Sequence, residues 1–379
     1  LGLDAAAAEI SLELAERWSG TEDAAQIRRS IRPGAAFSIA LEDETVVEGF
    51  IDALEVTYDH ARHVLTITGR ERTGDLVDCA AQVDGPHEFR SVGLEEAARR
   101  ICQPFGIRVR AQGSMGAPFG RFAIQPGETA WEAISRAARE RAVIVTGDGL
   151  GTLLLTRAGE GGEAAGALRL GGEDGNIRRA NGSFDFKERH SLVVVRGQSE
   201  GGGTADGIYD VTNPAAPRIV EGGAQTMQRR GESRATDPDV TRYRPRVVVS
   251  EGQAEGVSMQ DRANWEVRVA AGKSRRVRYT VPGWRGRNGA LWRPNTRVQV
   301  QDAYLDLDRE LLISNVTYSL GLDGGTLTEI QVAPVDAYAL IPERPQVGGR
   351  ESGGGPMTPR LEASTDEGRT WTRERGPVW

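Results

Sequence analysis

Four histidines and two cysteines are the side chains of this 379-residue sequence best suited to act as nucleophile, base or metal ligand, and their spacing argues against all three roles. His60 and His63 stand in Asp59-His60-Ala61-Arg62-His63. An i, i+3 pair shares a face of a helix but not of a hairpin tip, and the alternating apolar arms on either side make this segment a tip, so solvated turn residues are expected there. His87 and His190 lie alone, with no Ser or Cys in a nucleophile elbow and no HExxH, so the hydrolase templates fail. Cys79 and Cys102 are too few for a disulfide framework or a zinc site and read as two buried thiols in a reducing compartment. Asp306, Asp308 and Glu310 offer carboxylates for acid-base work, but in a strand-turn-strand they are expected to face solvent. Gly147-Asp148-Gly149-Leu150-Gly151 lacks the Lys-Ser/Thr ending and following helix of a phosphate cradle, which leaves a hairpin turn. No catalytic, cofactor-binding or metal residue is therefore assigned, and a protein that is not an enzyme and carries no cofactor is expected.

The elements that hold these residues follow from periodicity. Ile10, Leu12 and Leu14 alternate, Trp18-Ser19-Gly20 turns, and the arms Leu54 to Tyr58 and Val64 to Thr68 flank the tip, after which Gly69 to Asp78 leaves the β region. Leu94, Ala98, Ile101 and Phe105 fall at helical spacing behind Ser91 as N-cap, with Gly106 as the stop before a strand at Ile107 to Val109. Thr129 and Glu132 form a capping box that opens a helix whose buried face is Trp131, Ile134 and Ala138. Val143 to Thr146 and Thr152 to Thr156 then make a hairpin across the glycine-rich turn. A strand at Leu192 to Val195, a helix near 257–271 with Met259, Ala263, Val267 and Ala270 on one face, and a strand at Val277 to Val281 follow. Between Gly197 and Pro245 only Ile219-Val220 interrupts a polar, glycine-rich run, read as a mobile or partner-ordered excursion. Gly353-Gly354-Gly355 reads as a hinge.

Composition sets the outer limits. Net charge is −7, and of the 47 basic residues only Lys187 and Lys273 are lysines. The arginines are scattered among acids without a sustained basic stripe, so tight nucleic-acid binding is not indicated. No apolar run approaches the roughly eighteen residues of a membrane span and no charged-then-apolar leader opens the sequence, so a soluble protein with no membrane anchor is expected.

The most informative pattern is an echo. Arg32-Pro33-Gly34 opens a turn into Phe37, Ile39 and Leu41, then Asp43-Glu44-Thr45 and Val56-Thr57-Tyr58; Arg293-Pro294-Asn295 opens one into Val298 and Val300, then Asp308-Arg309-Glu310 and Val316-Thr317-Tyr318. Pro33 to Val56 is 23 residues and Pro294 to Val316 is 22. Several matching elements in one order imply a duplicated β domain. The fold class expected is mainly β with an α+β insertion: two related antiparallel β-barrel domains plus a small α+β domain. The boundaries read as 1–86 for the first barrel and 87–178 for the insertion. The second barrel then spans 179–343, with its excursion at 197–245, and a flexible tail 344–379 follows.

Three stretches carry a resemblance to a family. They are Gly69-Arg70-Glu71-Arg72-Thr73-Gly74-Asp75-Leu76-Val77-Asp78-Cys79, Pro126-Gly127-Glu128-Thr129-Ala130-Trp131, and Val281-Pro282-Gly283-Trp284 through Trp292-Arg293-Pro294. Over residues 10 to 340 the chain resembles the baseplate central hub protein of Mu-like contractile-tailed phages. That resemblance implies a virion protein of the tail baseplate, assembled in the host bacterial cytoplasm. It also implies a homotrimer that adapts the hexameric tail tube to the trimeric cell-puncturing spike, touches other baseplate proteins, and leaves a channel through which DNA passes unbound. The second stretch is shared with peptidoglycan-binding LysM modules (126–156 here), which keeps a cell-wall binding or degrading protein as an alternative. The hub part of a type VI secretion spike is another, although no carboxyl-terminal β-helix repeat follows. Ser364 to Trp371 fits the S-x-D-x-G-x-T-W Asp box of sialidase propellers; one copy builds no propeller, so a β-turn or small docking hairpin is expected.

Overall fold

A computed structural model describes residues 1–3, 6–16, 31–60, 63–85, 87–197, 232–250, 259–321 and 324–340. All belong to one unit, Leu1–Arg344. The turn at Trp18, the island at Ile219-Val220, the hinge at Gly353 and the Ser364 to Trp371 motif lie outside the described residues, as does residue 341 onward.

The chain begins with an antiparallel sheet. Strands β1 (Glu9–Glu16), β2 (Ala36–Leu41), β3 (Glu44–Tyr58) and β4 (His63–Glu71) pair in the order β1-β4-β3-β2. In β2 the positions of Phe37, Ile39 and Leu41 turn inward and the positions between them are exposed, the period of two read from the sequence. β4 runs to Glu71, two residues beyond the exit at Gly69 expected from the sequence, because Gly69, Arg70 and Glu71 still pair with Ile51, Phe50 and Gly49.

Next comes an α+β segment. It holds α1 (Gly74–Asp78), β5 (Glu88–Val92), α2 (Leu94–Cys102), β6 (Arg108–Ala111), β7 (Phe119–Ala123), α3 (Ala130–Arg139), β8 (Ile144–Gly147) and β9 (Thr152–Thr156). Its core joins Leu76, Ile101, Phe119, Phe122, Ile134, Leu153 and Leu155. Gly93, not Ser91, is the N-cap of α2, and Ser91 ends up inside β5 at φ 50°. β5 pairs with β7 through Arg90 and Val92 on either side of Ser91, so the strand runs on past Ser91 and Gly93 is left to cap. Phe105 lies in a 3-10 turn after α2, closed by Gly106 at φ 67°. At α3 the capping box forms as expected: Glu132 N–H donates to Thr129 Oγ1 at 3.1 Å and Thr129 N–H donates to Glu132 Oε2 at 2.9 Å. Trp131 is only half-buried; the buried face is Ala130, Ala133, Ile134, Ala137 and Ala138.

After β10 (Leu168–Arg169) and β11 (Arg179–Phe184), the chain departs from the expected single barrel. β12 (Leu192–Gly197), β13 (Glu232–Thr236) and β14 (Pro245–Ser250) form their own three-stranded sheet, ordered β13-β12-β14, under α4 (Met259–Lys273). The excursion expected over 197–245 therefore contains an ordered strand at Glu232–Thr236. Val193, Val195, Ala235 and Ala263 form the small core there. Met259, Ala263 and Val267 of the expected face of α4 pack against this core, Ala270 is half-buried, and Glu266, Val269 and Gly272 are buried beside them. Arg189, 1% exposed, locks this unit through Asp237, with Nε and Nη2 donating to its two carboxylate oxygens at 2.8 and 2.6 Å.

The chain then returns to the first pattern. β15 (Arg275–Pro282), β16 (Arg297–Asp302), β17 (Leu307–Gly321) and β18 (Gly325–Ala333) pair as β15-β18-β17-β16, the order of β1-β4-β3-β2. Corresponding strands have equal lengths: 8, 6, 15 and 9 residues. Gly34 N–H donates to Ile51 O and Asn295 N–H to Ile313 O, both at 2.8 Å. Both turns need a left-handed residue, Gly34 at φ 81° and Asn295 at φ 64°, the two types that tolerate it best. Each long strand carries a bulge at the same place, Ile51/Ala53 and Ile313/Asn315.

This correspondence corrects the sequence alignment by two residues. Aligning Ile51 with Ile313 puts Val56-Thr57-Tyr58 opposite Tyr318-Ser319-Leu320, not opposite Val316-Thr317-Tyr318. A slip of two preserves which side chains face inward, which is why the pattern looked right. In its hydrogen-bonded topology each copy is an open sheet. Four strands are too few to curl into a closed barrel, which takes more strands to bring its edges together. The second sheet is widened to six strands by β10 beside β16 and β11 beside β15.

Candidate assembly interface

The two sheets meet within the chain, and the family-like stretches build the meeting points. Leu41, Val46 and Val47 of the first sheet pack with Leu291, and with half-buried Ile39, Trp284 and Tyr318. Trp284 Nε1 donates to Ser319 O at 3.2 Å, and the Tyr318 hydroxyl donates to Trp292 O. Over this apolar contact lies an ionic clamp. Arg285 reaches Glu42 at 2.7 Å, Asp43 at 3.0 Å and Glu44 at 3.2 Å, while Arg293 reaches Glu44 at 2.7 Å. The guanidinium is suited to this work because its fork can serve several carboxylates at once. Residues 1–3 extend the contact: Leu3 N–H donates to Ser314 O and Val316 N–H to Leu1 O, each at 2.9 Å.

The second meeting point joins the first sheet to the α+β segment. Arg70 on β4 pairs with Asp52 at 2.7 Å and with Asp78 of α1 at 2.6 Å. Thr73 Oγ1 donates to Ala6 O at 3.0 Å, and Leu76 is fully buried. Between them Glu71 is only 2% exposed, its Oε2 accepting from Ala8 N–H at 2.8 Å while Oε1 finds no partner among the described residues. Burial pushes its pKa up from 4.5 to about 6, and the Ala8 hydrogen bond opposes that rise. The glycine-rich 147–151 turn seats against this carboxylate. Glu48 N–H donates to Gly149 O at 2.7 Å, and a Cβ at Gly149 would stand 2.2 Å from Val46 O. The turn is a hairpin, as its lack of a phosphate signature implied, and its glycines serve close packing between segments.

The residues singled out for chemistry remain apart. His60 and His87 are exposed, His190 is half-buried, and His63 packs edge-on to Tyr58 at 6.0 Å between ring centroids. Cys102 is buried, which pushes its thiol up to about 12, but Cys79 is exposed, contrary to expectation. Cys79 closes α1 at the surface end of that short helix. Asp306, Asp308 and Glu310 are exposed, as expected of a tip. No group of three or more His, Cys, Asp or Glu able to hold a metal ion occurs among the described residues. None of their helices is long and apolar enough to cross a membrane. Sequence reasoning missed Glu71, Arg285 and the triple acid Glu42-Asp43-Glu44 as partners; only the run of three acids was a local signal.

Comparison with known proteins now decides the family. The chain is 32% identical to the baseplate hub protein gp44 of Escherichia phage Mu over 358 residues, 92% of this chain and 87% of that protein. It belongs to the Mu-like phage baseplate hub family. Family models match in order: Mu phage baseplate assembly protein GpP-like, N-terminal, at residues 1–71; baseplate hub protein gp44-like, second domain, at 73–157; and Mu phage baseplate assembly protein GpP, fourth domain, at 256–341. Among solved structures, the 43 kDa tail protein of prophage MuSo2 from Shewanella oneidensis superposes with a TM-score of 0.70 at 31% identity, covering 90% of this chain and 93% of that one. The tail protein from Neisseria meningitidis MC58 shares the fold, with a TM-score of 0.68 at 20% identity and the same coverage. The hub is thus a structural protein of a phage tail baseplate, and its relatives are hub and tail proteins rather than enzymes.

Proposed function

We propose that this hub is the trimeric adaptor of the baseplate, joining a six-fold tail tube on one face to a three-fold spike on the other. The carrying observation is the internal duplication: two sheets with the same strand order, the same lengths, the same left-handed turn and the same bulge. One chain with two equivalent sheets supplies six around a three-fold axis, which matches a hexameric partner without six-fold symmetry in the chain itself. The open form of each sheet supports the reading, since open edges can be completed by neighbours in a ring, whereas a closed barrel has none. The two barrels expected from the sequence become, in this reading, two sectors of one larger ring. DNA would pass through the centre without specific contacts, and the assembly would reside in the virion tail, built in the host cytoplasm.

The test is the mass of the full chain in solution. Light scattering across a concentration series is expected to approach three times 40.9 kDa. A particle that stays monomeric at the highest concentration, and monomeric when mixed with tube and spike proteins, refutes the adaptor.

A further inference from the structure

The two sheets are alike, but their surroundings are not. The second sheet offers Arg293 of its Arg-Pro turn to Glu44, at the β2–β3 tip of the first sheet. The first sheet has the equivalent Arg32, in Arg32-Pro33-Gly34, yet Arg32 is exposed and its guanidinium has no partner among the described residues. The complementary half also lacks its arginine, although Asp308 accepts from Gln299 Nε2 at 2.9 Å. The β2–β3 tip is clamped by Arg285 and Arg293, whereas Asp306 and Asp308 of the equivalent β16–β17 tip have no arginine partner among the described residues. These two acids stand on either side of the position matching Glu44, and Tyr304 on the same tip is 87% exposed. Glu42 and Asp306, one at each tip, share the left-handed backbone, φ 56° and 53°.

The flanking strand repeats the asymmetry. Ser314 and Val316 of β17 are buried where residues 1–3 lie against them. The equivalent part of β3 is more open: Asp52, the counterpart of Ser314, is exposed, Leu54, the counterpart of Val316, is half-buried, and Val56, the counterpart of half-buried Tyr318, is 41% exposed. Three parts of the junction inside the chain thus have a described counterpart without its junction: Arg32 for Arg293 and the middle of β3 for the part of β17 under residues 1–3 on one side, the Asp306 to Asp308 tip for the β2–β3 tip on the other.

From this we infer that the same junction is made a second time between chains, with Arg32 of one copy seated on the Asp306/Asp308 tip of the next. The contact is head-to-tail, so it propagates, and it closes into a ring when the within-chain and between-chain steps together turn the chain by one third of a circle. Opposite charges stand on the two halves, which favours this pairing over a symmetric one that would bring Arg32 to Arg32. The inference rests on the trimer reading and adds to it which residues form the seam.

The experiment uses the full chain. Arg32→Glu, and separately Asp306→Arg with Asp308→Arg, are compared with wild type by light scattering over concentration and by thermal unfolding. Each charge reversal is expected to raise the concentration needed for half-assembly by at least about tenfold, because the seam occurs three times per ring. The three changes combined in one chain are expected to restore assembly. Unfolding temperatures of the reversals are expected to stay at that of dissociated wild type, since these side chains are exposed and make no ion pair within the described chain. A wild-type trimer that is indifferent to Arg32→Glu, or a charge swap that restores nothing, overturns the seam while leaving the trimer intact. A wild-type monomer at every concentration overturns the trimer itself, so the two failures are distinct.

Discussion

Replacing Glu71 by glutamine tests whether a buried carboxylate at the second meeting point sets the hub's stability against pH. Folding raises this group's pKa from 4.5 to about 6, with burial as the main cause. The folded chain therefore holds a proton that the unfolded chain has given up between those two values, and stability falls as pH rises through that window. Above pH 6 the full cost of the buried charge is present, about 2 kcal/mol from the 1.4 kcal/mol that each tenfold change is worth. By pH 5 more than half of that cost is recovered, about 1 kcal/mol. A glutamine side chain at this position has the same shape and keeps an oxygen for Ala8 N–H, but it does not titrate. The exposed acids, such as Asp78 held low by Arg70 and Glu96 held low by Arg100, act alike in both proteins and cancel in the difference. The assay is urea unfolding of both chains at several values between pH 7 and pH 5, read as the difference in unfolding free energy. Wild type is expected to gain about 1 kcal/mol relative to Glu71→Gln over that range. A difference that does not change with pH refutes the claim that Glu71 is buried and charged at neutral pH.

Three more outcomes follow from named contacts. Arg189→Met leaves Asp237 buried without its counter-ion and is expected to destabilise the unit under α4 by about 3–5 kcal/mol, visible as earlier loss of hydrogen-exchange protection in β12. Thr129→Ala removes one half of the capping box and is expected to cost about 1 kcal/mol by denaturant unfolding, whereas Thr129→Ser is expected to cost much less. In a trimer structure the lining of the central bore is expected to carry more Asp and Glu than Arg, since several arginines on the phosphates would bind DNA and stall its passage; a net-basic bore would instead mark a hub that grips.

Much of this hub was legible in short spacings. Alternation in Phe37, Ile39 and Leu41, the Arg-Pro-Gly and Arg-Pro-Asn turns, and the Thr129 to Glu132 box each describe hydrogen bonds made within a few residues, so their outcome depends little on the rest of the chain. Tertiary structure alone decided the rest. Ser91 lost the cap of α2 because β5, paired with the distant strand β7 through Val92, runs on past it and the helix starts after Gly93. The strand at Leu192 left the second sheet because β13 and β14 offered it a separate partner pair. Arg285 found Glu42, Asp43 and Glu44 across more than 240 residues of sequence. Glu71 became a titrating group near pH 6 only because the 147–151 turn and residues 6–8 excluded water from it. Burial and long-range charge pairing are properties of surfaces that meet, and a sequence specifies those surfaces only through the whole fold.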